Sequence, residues 1–231
     1  MKKHIYLLAL ALSSGLYSYA QVTFGVKAGF NAASMSSKLE AHDGIASQKA
    51  STKTIPAFHA GVIVDFAISE NFSLQPGLFY SSKGSKVDYV IPSPADGILD
   101  KGTVTSRLQY LELPINFLYK HQLGAGKIFG GLGPYLAYGL SGKMKTSSDI
   151  SGRSLDTKFK FKNSEESAVN ELNVKPFDAG ANFTVGYELN MGLLFSVNYS
   201  LGLTNTSPYK HETEKNRYFG VSVGYLFNTH K

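Results

Sequence analysis

The chain has 231 residues, a formal net charge of +6, 13% aromatic residues, and no cysteine or tryptophan. The lack of cysteine excludes disulfides and any thiolate-based metal or catalytic site. The positive charge is modest and dispersed, so nucleic acid is not an expected partner.

The first twenty residues have the pattern of a secretory signal peptide. Two lysines precede a short apolar run over 5–12, and the small residues Ser18 and Ala20 fit a cleavage site. This run is far shorter than the ~20 residues that a membrane-spanning helix needs. We therefore predict a signal peptide over 1–20, followed by a single domain over 21–231.

From residue 22 onward, apolar residues alternate with polar or small ones, which is the pattern of half-buried β-strands. The first such segment begins with Val22, Phe24 and Val26 on one face. The eight segments of this kind are 22–32, 58–68, 72–82, 109–119, 128–140, 177–189, 191–203 and 218–227. Tilted strands of this length are long enough to cross the apolar band of an outer membrane.

The connections between these segments alternate in length. Short ones lie at 69–71, 120–127 and 189–191, and long ones at 33–57, 83–108, 141–176 and 204–217. Short turns on one side and long loops on the other are typical of outer-membrane barrels. The sequence predicts an all-β fold, an eight-stranded antiparallel up-and-down transmembrane β-barrel with both termini on the periplasmic side.

Alternation alone does not tell which face points outward, since a secreted lipocalin also has eight strands but turns its apolar face inward. Glycine favours the membrane barrel, because an eight-stranded barrel is barely wide enough for its own side chains. The strand glycines on the polar face are Gly25, Gly29, Gly61, Gly77, Gly131, Gly133, Gly139, Gly180, Gly186, Gly202, Gly220 and Gly224. Gly130 is the exception, on the apolar face.

Charge and aromatic position also favour the membrane barrel. Within the predicted strands the apolar face carries no Asp, Glu, Lys or Arg. Its aromatic residues gather toward the two ends, for example Phe24 and Tyr119 near short turns, and Tyr80 and Tyr138 near long loops. Two aromatic girdles around an aliphatic band are typical of a membrane barrel.

The charged residues of the polar face form the predicted polar cluster of the lumen. They are Lys27, Asp65, Glu112, Asp178 and Glu188. The cluster is either an ion path or a closed plug of ion pairs, and the plug is favoured because eight strands leave no continuous aqueous channel. We expect Lys27 to pair with Asp65 or Glu112.

The segment 110–119, YLELPINFLY, places a carboxylate and a proline inside a strand. With Leu111 and Leu113 facing lipid, Glu112 and Pro114 face the interior, where polar partners can meet the carboxylate. Proline cannot donate to the hydrogen-bond ladder. We therefore expect a local bulge or a water-bridged carbonyl at Pro114.

Four stretches resemble recurrent strands of the PorT-like outer-membrane β-barrel family. They are YLELPINFLY, GGLGPYLAYGLSG, FDAGANFTVGYEL and YSLGLTNT, and FGVKAGFNAASM is similar to the first strand of that family. The resemblance implies the barrel fold and a location in the outer membrane. Because the family includes an accessory of a protein secretion system, it also implies such a role as an alternative function. It supplies no catalytic residues.

The long loops are the most plausible functional surface. Residues 141–176 form the longest, in which Lys158, Lys160 and Lys162 alternate with Phe159 and Phe161. This pattern suggests a hairpin standing above the membrane. Its lysines could contact lipopolysaccharide phosphates or an acidic partner, or serve as gatekeepers on a solvated edge.

No phosphate-binding loop, nucleophile elbow or spaced metal-ligand set occurs in the sequence. We therefore expect a non-enzymatic protein of the cell outer membrane, without cofactors and monomeric, that binds partners through its extracellular loops. Expected partners are membrane lipid or lipopolysaccharide and envelope or secretion-system proteins. The alternatives are an accessory of a secretion or envelope-assembly machine, and a narrow channel.

Overall fold

The computed structural model describes residues 22–41, 46–50, 52–92, 99–150 and 152–227. The predicted signal peptide lies outside the described residues. The strands are β1 (Val22–Leu39), β2 (Gln48–Ala50), β3 (Ile55–Ala67), β4 (Phe72–Pro92), β5 (Leu99–Leu123), β6 (Gly126–Ser148), β7 (Ser154–Phe161), β8 (Glu171–Val174), β9 (Phe177–Leu189), β10 (Leu193–Gly202) and β11 (Glu212–Phe227). In the described part of the chain, no helix has the length and apolarity to cross a membrane.

Eight of these strands form a closed antiparallel ring. Its order is β5-β4-β3-β1-β11-β10-β9-β6, and the pairing of β5 with β6 closes it. Each predicted segment coincides with one ring strand, so the eight-stranded barrel is confirmed. The short connections also lie where predicted, at one end of the ring.

Six of the eight ring strands extend further than predicted at the other end, whereas β9 and β10 do not. β4 and β5 have 21 and 25 residues and pair without interruption from Phe79 and Glu112 out to Pro92 and Leu99. The predicted loop 83–108 is therefore mostly a β-hairpin that stands above the barrel. The extension was missed because six polar or small residues, 81–86, follow Tyr80 and separate the short alternation of Val87, Tyr89 and Ile91 from the predicted strand.

The predicted hairpin in 141–176 is confirmed. The outer end of β6 pairs with β7 over residues 142–147 and 154–159, in the column that β9 occupies lower down. β8 adds to β7 in parallel and then leads into β9. Together with the outer ends of β1, β4, β5 and β11, these strands form a tall outer wall.

Inward and outward faces follow the predicted alternation. Apolar side chains such as Phe30, Val62 and Leu132 are exposed on the outside of the ring, whereas Lys27 and Asp65 are buried inside. The aromatic girdle near the long connections is visible in the register, where Tyr80, Leu111, Tyr138 and Phe177 form one row across four strands. This band is the surface that a membrane barrel presents to lipid.

Pro114 does not produce the expected bulge. The register shift between β5 and β6 lies instead between Gln109 and Tyr110. At the proline the ladders are interrupted without a shift: pairing with β6 stops at Pro114 and resumes at Phe117. The missing N–H donor of Pro114 thus coincides with a local gap in the ladder. The side chains of the strand keep their alternation between inward and outward positions.

Two adjacent glycines on β6 offer a test of the inward and outward assignment. A Cβ added at Gly131, which faces inward, would lie 2.2 Å from the carbonyl oxygen of Phe117 and 2.5 Å from Leu118. At Gly130, which faces lipid, the nearest atom is 4.0 Å away. Gly131→Ala should therefore lower the free energy of unfolding by about 1–3 kcal/mol through overpacking.

Gly130→Ala should leave stability unchanged or slightly raised, since a glycine inside a strand is conformationally costly. Urea unfolding of both variants in lipid vesicles measures the difference. Equal tolerance of the two substitutions would contradict the close approach of β5 and β6 at this level.

Candidate functional site in the lumen and the outer wall

The outer half of the lumen contains a buried ion trio formed by Lys83, Glu112 and Asp178. The Lys83 Nζ lies 2.7 Å from Glu112 Oε2 and 3.0 Å from Asp178 Oδ2, and the three side chains are almost completely buried. The Lys83 ammonium also lies 4.2 Å from the centre of the Tyr135 ring. This trio links β4, β5 and β9 across the barrel.

Neutral donors complete the coordination of the two carboxylates. Asn216 donates to Asp178 Oδ2 at 3.0 Å, and Tyr218 donates to Glu112 Oε1 at 3.1 Å. Thr204 donates to Asp178 Oδ1 at 3.2 Å. Buried charges are tolerated when they are both paired and hydrogen-bonded, as they are here.

A second ion trio lies at the periplasmic end of the lumen. Lys120 Nζ is 3.0 Å from Asp65 Oδ2 and 2.8 Å from Glu188 Oε2. Gln75 adds a hydrogen bond of 2.8 Å to the same oxygen of Asp65. The trio links β3, β5 and β9, so the four predicted lumen carboxylates are divided between two separate lysines.

The expected pairing of Lys27 with Asp65 or Glu112 is wrong. Lys27 donates instead to the amide oxygen of Asn198, at 3.1 Å, in the middle of the barrel. It lines a polar cavity of about 40 Å³ together with His59 and Glu112. Both carboxylates are already paired by Lys83 and Lys120, which explains why Lys27 takes a neutral partner.

Lys83 and Lys120 are the members of the lumen ion trios that the sequence did not predict. Both were assigned to connections, Lys83 to 83–108 and Lys120 to 120–127. The signal was present, because Lys83 continues the inward phase of Ser81 on β4, and Lys120 continues that of Glu112 on β5. Extending the alternation past the last apolar residue would have found both.

Apolar layers separate these polar groups along the barrel axis. One layer, between the Lys27 cavity and the periplasmic trio, contains Ile63, Phe79, Leu118, Phe129, Leu194 and Leu226. The other surrounds the Lys83 trio and extends to its outer side, and it contains Met35, Leu108, Tyr110, Tyr135, Ala137 and Val174. The predicted polar cluster is thus a stack of ion trios and apolar layers rather than one network.

The predicted loop lysines lie on the outer wall, Lys158 and Lys160 on the outward face of β7 and Lys162 directly after it. Lys158, Lys160 and Lys162 are exposed, and Lys158 is directly opposite Lys143 of β6. The surface called the lysine face consists of Lys143, Lys145, Lys158, Lys160 and Lys162. Asp156 pairs with Lys143 at 2.6 Å and Glu171 with Lys160 at 3.4 Å, so positive charge remains in excess.

The inner side of the outer wall encloses a vestibule of about 560 Å³. Its floor includes Met35, Leu108 and Val174, which belong to the outer apolar layer. Glu214 and Glu212, near the outer end of β11, line it as well. Burial, and then the charge of Glu212, raise the pKa of Glu214 above its ordinary value.

The sequence and the barrel geometry agree with a known family. Residues 18–208 match the sequence profile of the family described as "Outer membrane protein beta-barrel domain". The chain belongs to this family. The protein is therefore an outer-membrane β-barrel, as predicted, and the PorT-like resemblance stays a prediction. No curated protein sequence gives a significant match to this barrel.

Solved structures similar to this outer-membrane barrel include those of three bacterial proteins. OprG from Pseudomonas aeruginosa has 13% sequence identity and a TM-score of 0.46, covering 91% of this chain and 98% of that chain. Neisserial surface protein A has 10% identity and a TM-score of 0.43, covering 88% and 97%. Ail of Yersinia pestis has 12% identity and a TM-score of 0.37, covering 89% and 99%.

Proposed function

We propose that this outer-membrane barrel is a non-enzymatic, monomeric surface-binding protein whose lysine face holds the phosphates of lipopolysaccharide. The observation that carries the proposal is the row of outward lysines on β6 and β7, directly above the outer aromatic girdle. Lysine is a common phosphate binder in proteins, acting as a point charge.

The lysine face is supported from behind. Phe159 and Phe161, on the inward side of β7, pack against the outer apolar layer, and the Phe161 ring lies 5.6 Å from that of Tyr110. Lys158 and Lys160 therefore project from a strand held on both sides, by β6 and β8. A fixed strand reduces the entropy that binding would otherwise cost.

The height of the lysine face favours lipid over a distant soluble partner. Lys143 follows Tyr138 of the girdle by five residues along β6, which places it roughly 12 Å above the girdle at ~3.3 Å per residue and ~40° tilt. An outward side chain at this height meets the polar headgroups of neighbouring lipopolysaccharide molecules.

Neutralising part of the lysine face should weaken this binding. A triple substitution of Lys158, Lys160 and Lys162 to Gln removes three cations, each worth ~1 kcal/mol near an anionic membrane surface. We expect lipopolysaccharide to bind roughly 100-fold more weakly, as measured by titration into the purified barrel. The binding of the unchanged protein should also weaken with salt.

The matched control removes equal charge from exposed lysines elsewhere on the outer side, namely Lys49, Lys101 and Lys210. Their replacement by Gln should change affinity far less, and lipopolysaccharide stripped of phosphate should not distinguish the two variants. If both triple variants lose the same affinity for lipopolysaccharide, binding depends only on the net charge of the protein. That result would contradict a specific role of the lysine face.

A role as a secretion or envelope-assembly accessory is the second candidate, supported by the resemblance of YLELPINFLY and its companion strands to PorT-like barrels. Cross-linking from the lysine face in intact cells separates the two proposals. Capture of one envelope protein, with lipopolysaccharide affinity unchanged in the triple variant, would favour the accessory role. The stacked ion trios and apolar layers argue against a narrow channel.

A further inference from the structure

The vestibule inside the outer wall has the size of a small-molecule site. Its volume of about 560 Å³ lies within the ~300–1,000 Å³ typical of ligand pockets. Its walls come from the outer ends of β1, β4, β5, β6 and β11, from β7 and β8, and from the segment 203–211. Tyr209 of that segment closes the gap toward β8 by a hydrogen bond of 3.1 Å with the backbone of Asn173.

The charge inside the vestibule is entirely negative. Among the described residues that line it, Glu165, Glu212 and Glu214 are charged, and none is Lys, Arg or His. Glu212 and Glu214 are two positions apart on β11 and so share its inward phase. Glu212 accepts a hydrogen bond of 3.1 Å from Ser207. The lysine face lies on the opposite side of β7 and does not neutralise them.

A serine hydroxyl also lines the vestibule. Ser85 of β4 is 6% exposed, and its side chain makes no hydrogen bond with any other residue that the structure describes. A hydroxyl that faces a cavity without a protein partner is available to a bound ligand. Ser85 therefore adds a neutral acceptor to the carboxylates.

The remaining lining is apolar. Met35, Leu108 and Val174 form a buried floor, and Phe159 and Leu172 stand on the wall made by β7 and β8. A bare metal ion would leave this surface unused. In the described part of the chain, no group of three or more His, Cys, Asp or Glu side chains is arranged to hold a metal ion.

We propose that the vestibule binds a small organic cation with an apolar body. The ammonium group would lie between Glu212 and Glu214, and the body would lie on Leu108, Val174 and Phe159. This site is independent of the lysine face, which takes anions, so either proposal can fail without the other.

Three probes with one body and different head groups test the proposal. They are 4-phenylbutylammonium, 4-phenylbutanol and 5-phenylpentanoate, titrated calorimetrically into the full barrel in a non-ionic detergent. We expect the ammonium to bind at one site, the alcohol to bind at least tenfold more weakly, and the carboxylate not to bind. Equal binding of alcohol and ammonium, or no saturable binding of the ammonium, would overturn the proposal.

Matched variants locate the site. Glu214→Gln and Glu212→Gln should each weaken ammonium binding about tenfold, while Glu166→Gln, next to Glu165 but outside the vestibule, should leave it unchanged. Calcium ion titrated alone should not bind at the same site. Loss of binding in Glu166→Gln as well, or displacement of the ammonium by calcium at one equivalent, would contradict the assignment.

A loss of binding in these variants can be distinguished from a loss of folding. The raised pKa of Glu214 means that its charged form is less stable in the folded protein than in the unfolded chain. Glu214→Gln removes that cost, so the variant should unfold at the same or higher denaturant concentration while it loses binding. If it fails to fold, Glu165→Gln, at an exposed position, should still reduce affinity, and no reduction there would count against the proposal.

Discussion

Replacing Lys83 with methionine is expected to lower the free energy of unfolding of the barrel by about 3–5 kcal/mol. Lys83 is the cation of the outer ion trio, 2.7 Å from Glu112 and 3.0 Å from Asp178, with side chains that are 1–3% exposed or less. Its loss leaves two carboxylates near each other without a counter-charge. Charged groups buried without a partner are among the most destabilising features of a protein interior.

An exposed ion pair provides the control for the Lys83 variant. Lys53 pairs with Asp88 on the outer wall, where both side chains are well exposed to water. Lys53→Met should cost less than ~1 kcal/mol, because exposed pairs gain little. Equilibrium unfolding of both variants in guanidinium, in lipid vesicles, measures the difference.

The second variant for the Lys83 test removes the stranded charge. Glu112→Gln in the Lys83→Met background leaves one carboxylate, Asp178, which keeps its hydrogen bonds from Asn216 and Thr204. We expect this double variant to recover part of the lost stability. A Lys83→Met barrel as stable as the unchanged protein would show that the trio contributes nothing to folding.

The sequence was sufficient to predict the membrane-facing half of the fold. Alternation, interior glycines and the two aromatic girdles all depend on the contrast between lipid and a narrow lumen, and that contrast acts on every ring strand. This contrast between lipid and lumen ends above the outer girdle, where both faces of the outer wall meet water. The outer ends of β4 and β5 were therefore predicted as a loop, although they continue the hydrogen-bond ladder.

The candidate sites were only partly predictable for the same reason. The carboxylates Asp65, Glu112, Asp178 and Glu188 were found because they occupy polar positions between the apolar residues of the predicted strands. Their cations, Lys83 and Lys120, lie just past the last apolar residue of their strands and carry no such contrast. The vestibule combines side chains from strands that are distant in the chain, so its composition emerged only once the register was known.

The largest effect on assembly is expected from a charge placed in the apolar band. Val62 of β3 lies in the middle of the band, where it is 53% exposed on the outside of the ring and pairs with Val26 and Leu78. An arginine near the bilayer midplane of a barrel costs ~2–4 kcal/mol. Val62→Arg should therefore sharply reduce insertion, measured as the heat-modifiable fraction in isolated outer membranes.

Val90 provides a control for Val62→Arg that differs mainly in its height above the membrane centre. It is 56% exposed, close to the value for Val62, and lies on β4, ten residues beyond Tyr80 of the outer girdle. At ~3.3 Å per residue and ~40° tilt, Val90 lies roughly 25 Å further from the membrane centre than Tyr80 along the barrel axis. The same Val→Arg change meets water there, so insertion and stability should be unchanged. Equal impairment by Val62→Arg and Val90→Arg would mean that the cost comes from the loss of a strand-forming residue rather than from lipid. Equal tolerance of the two substitutions would instead favour the lipocalin alternative, in which water surrounds the outer face of the barrel.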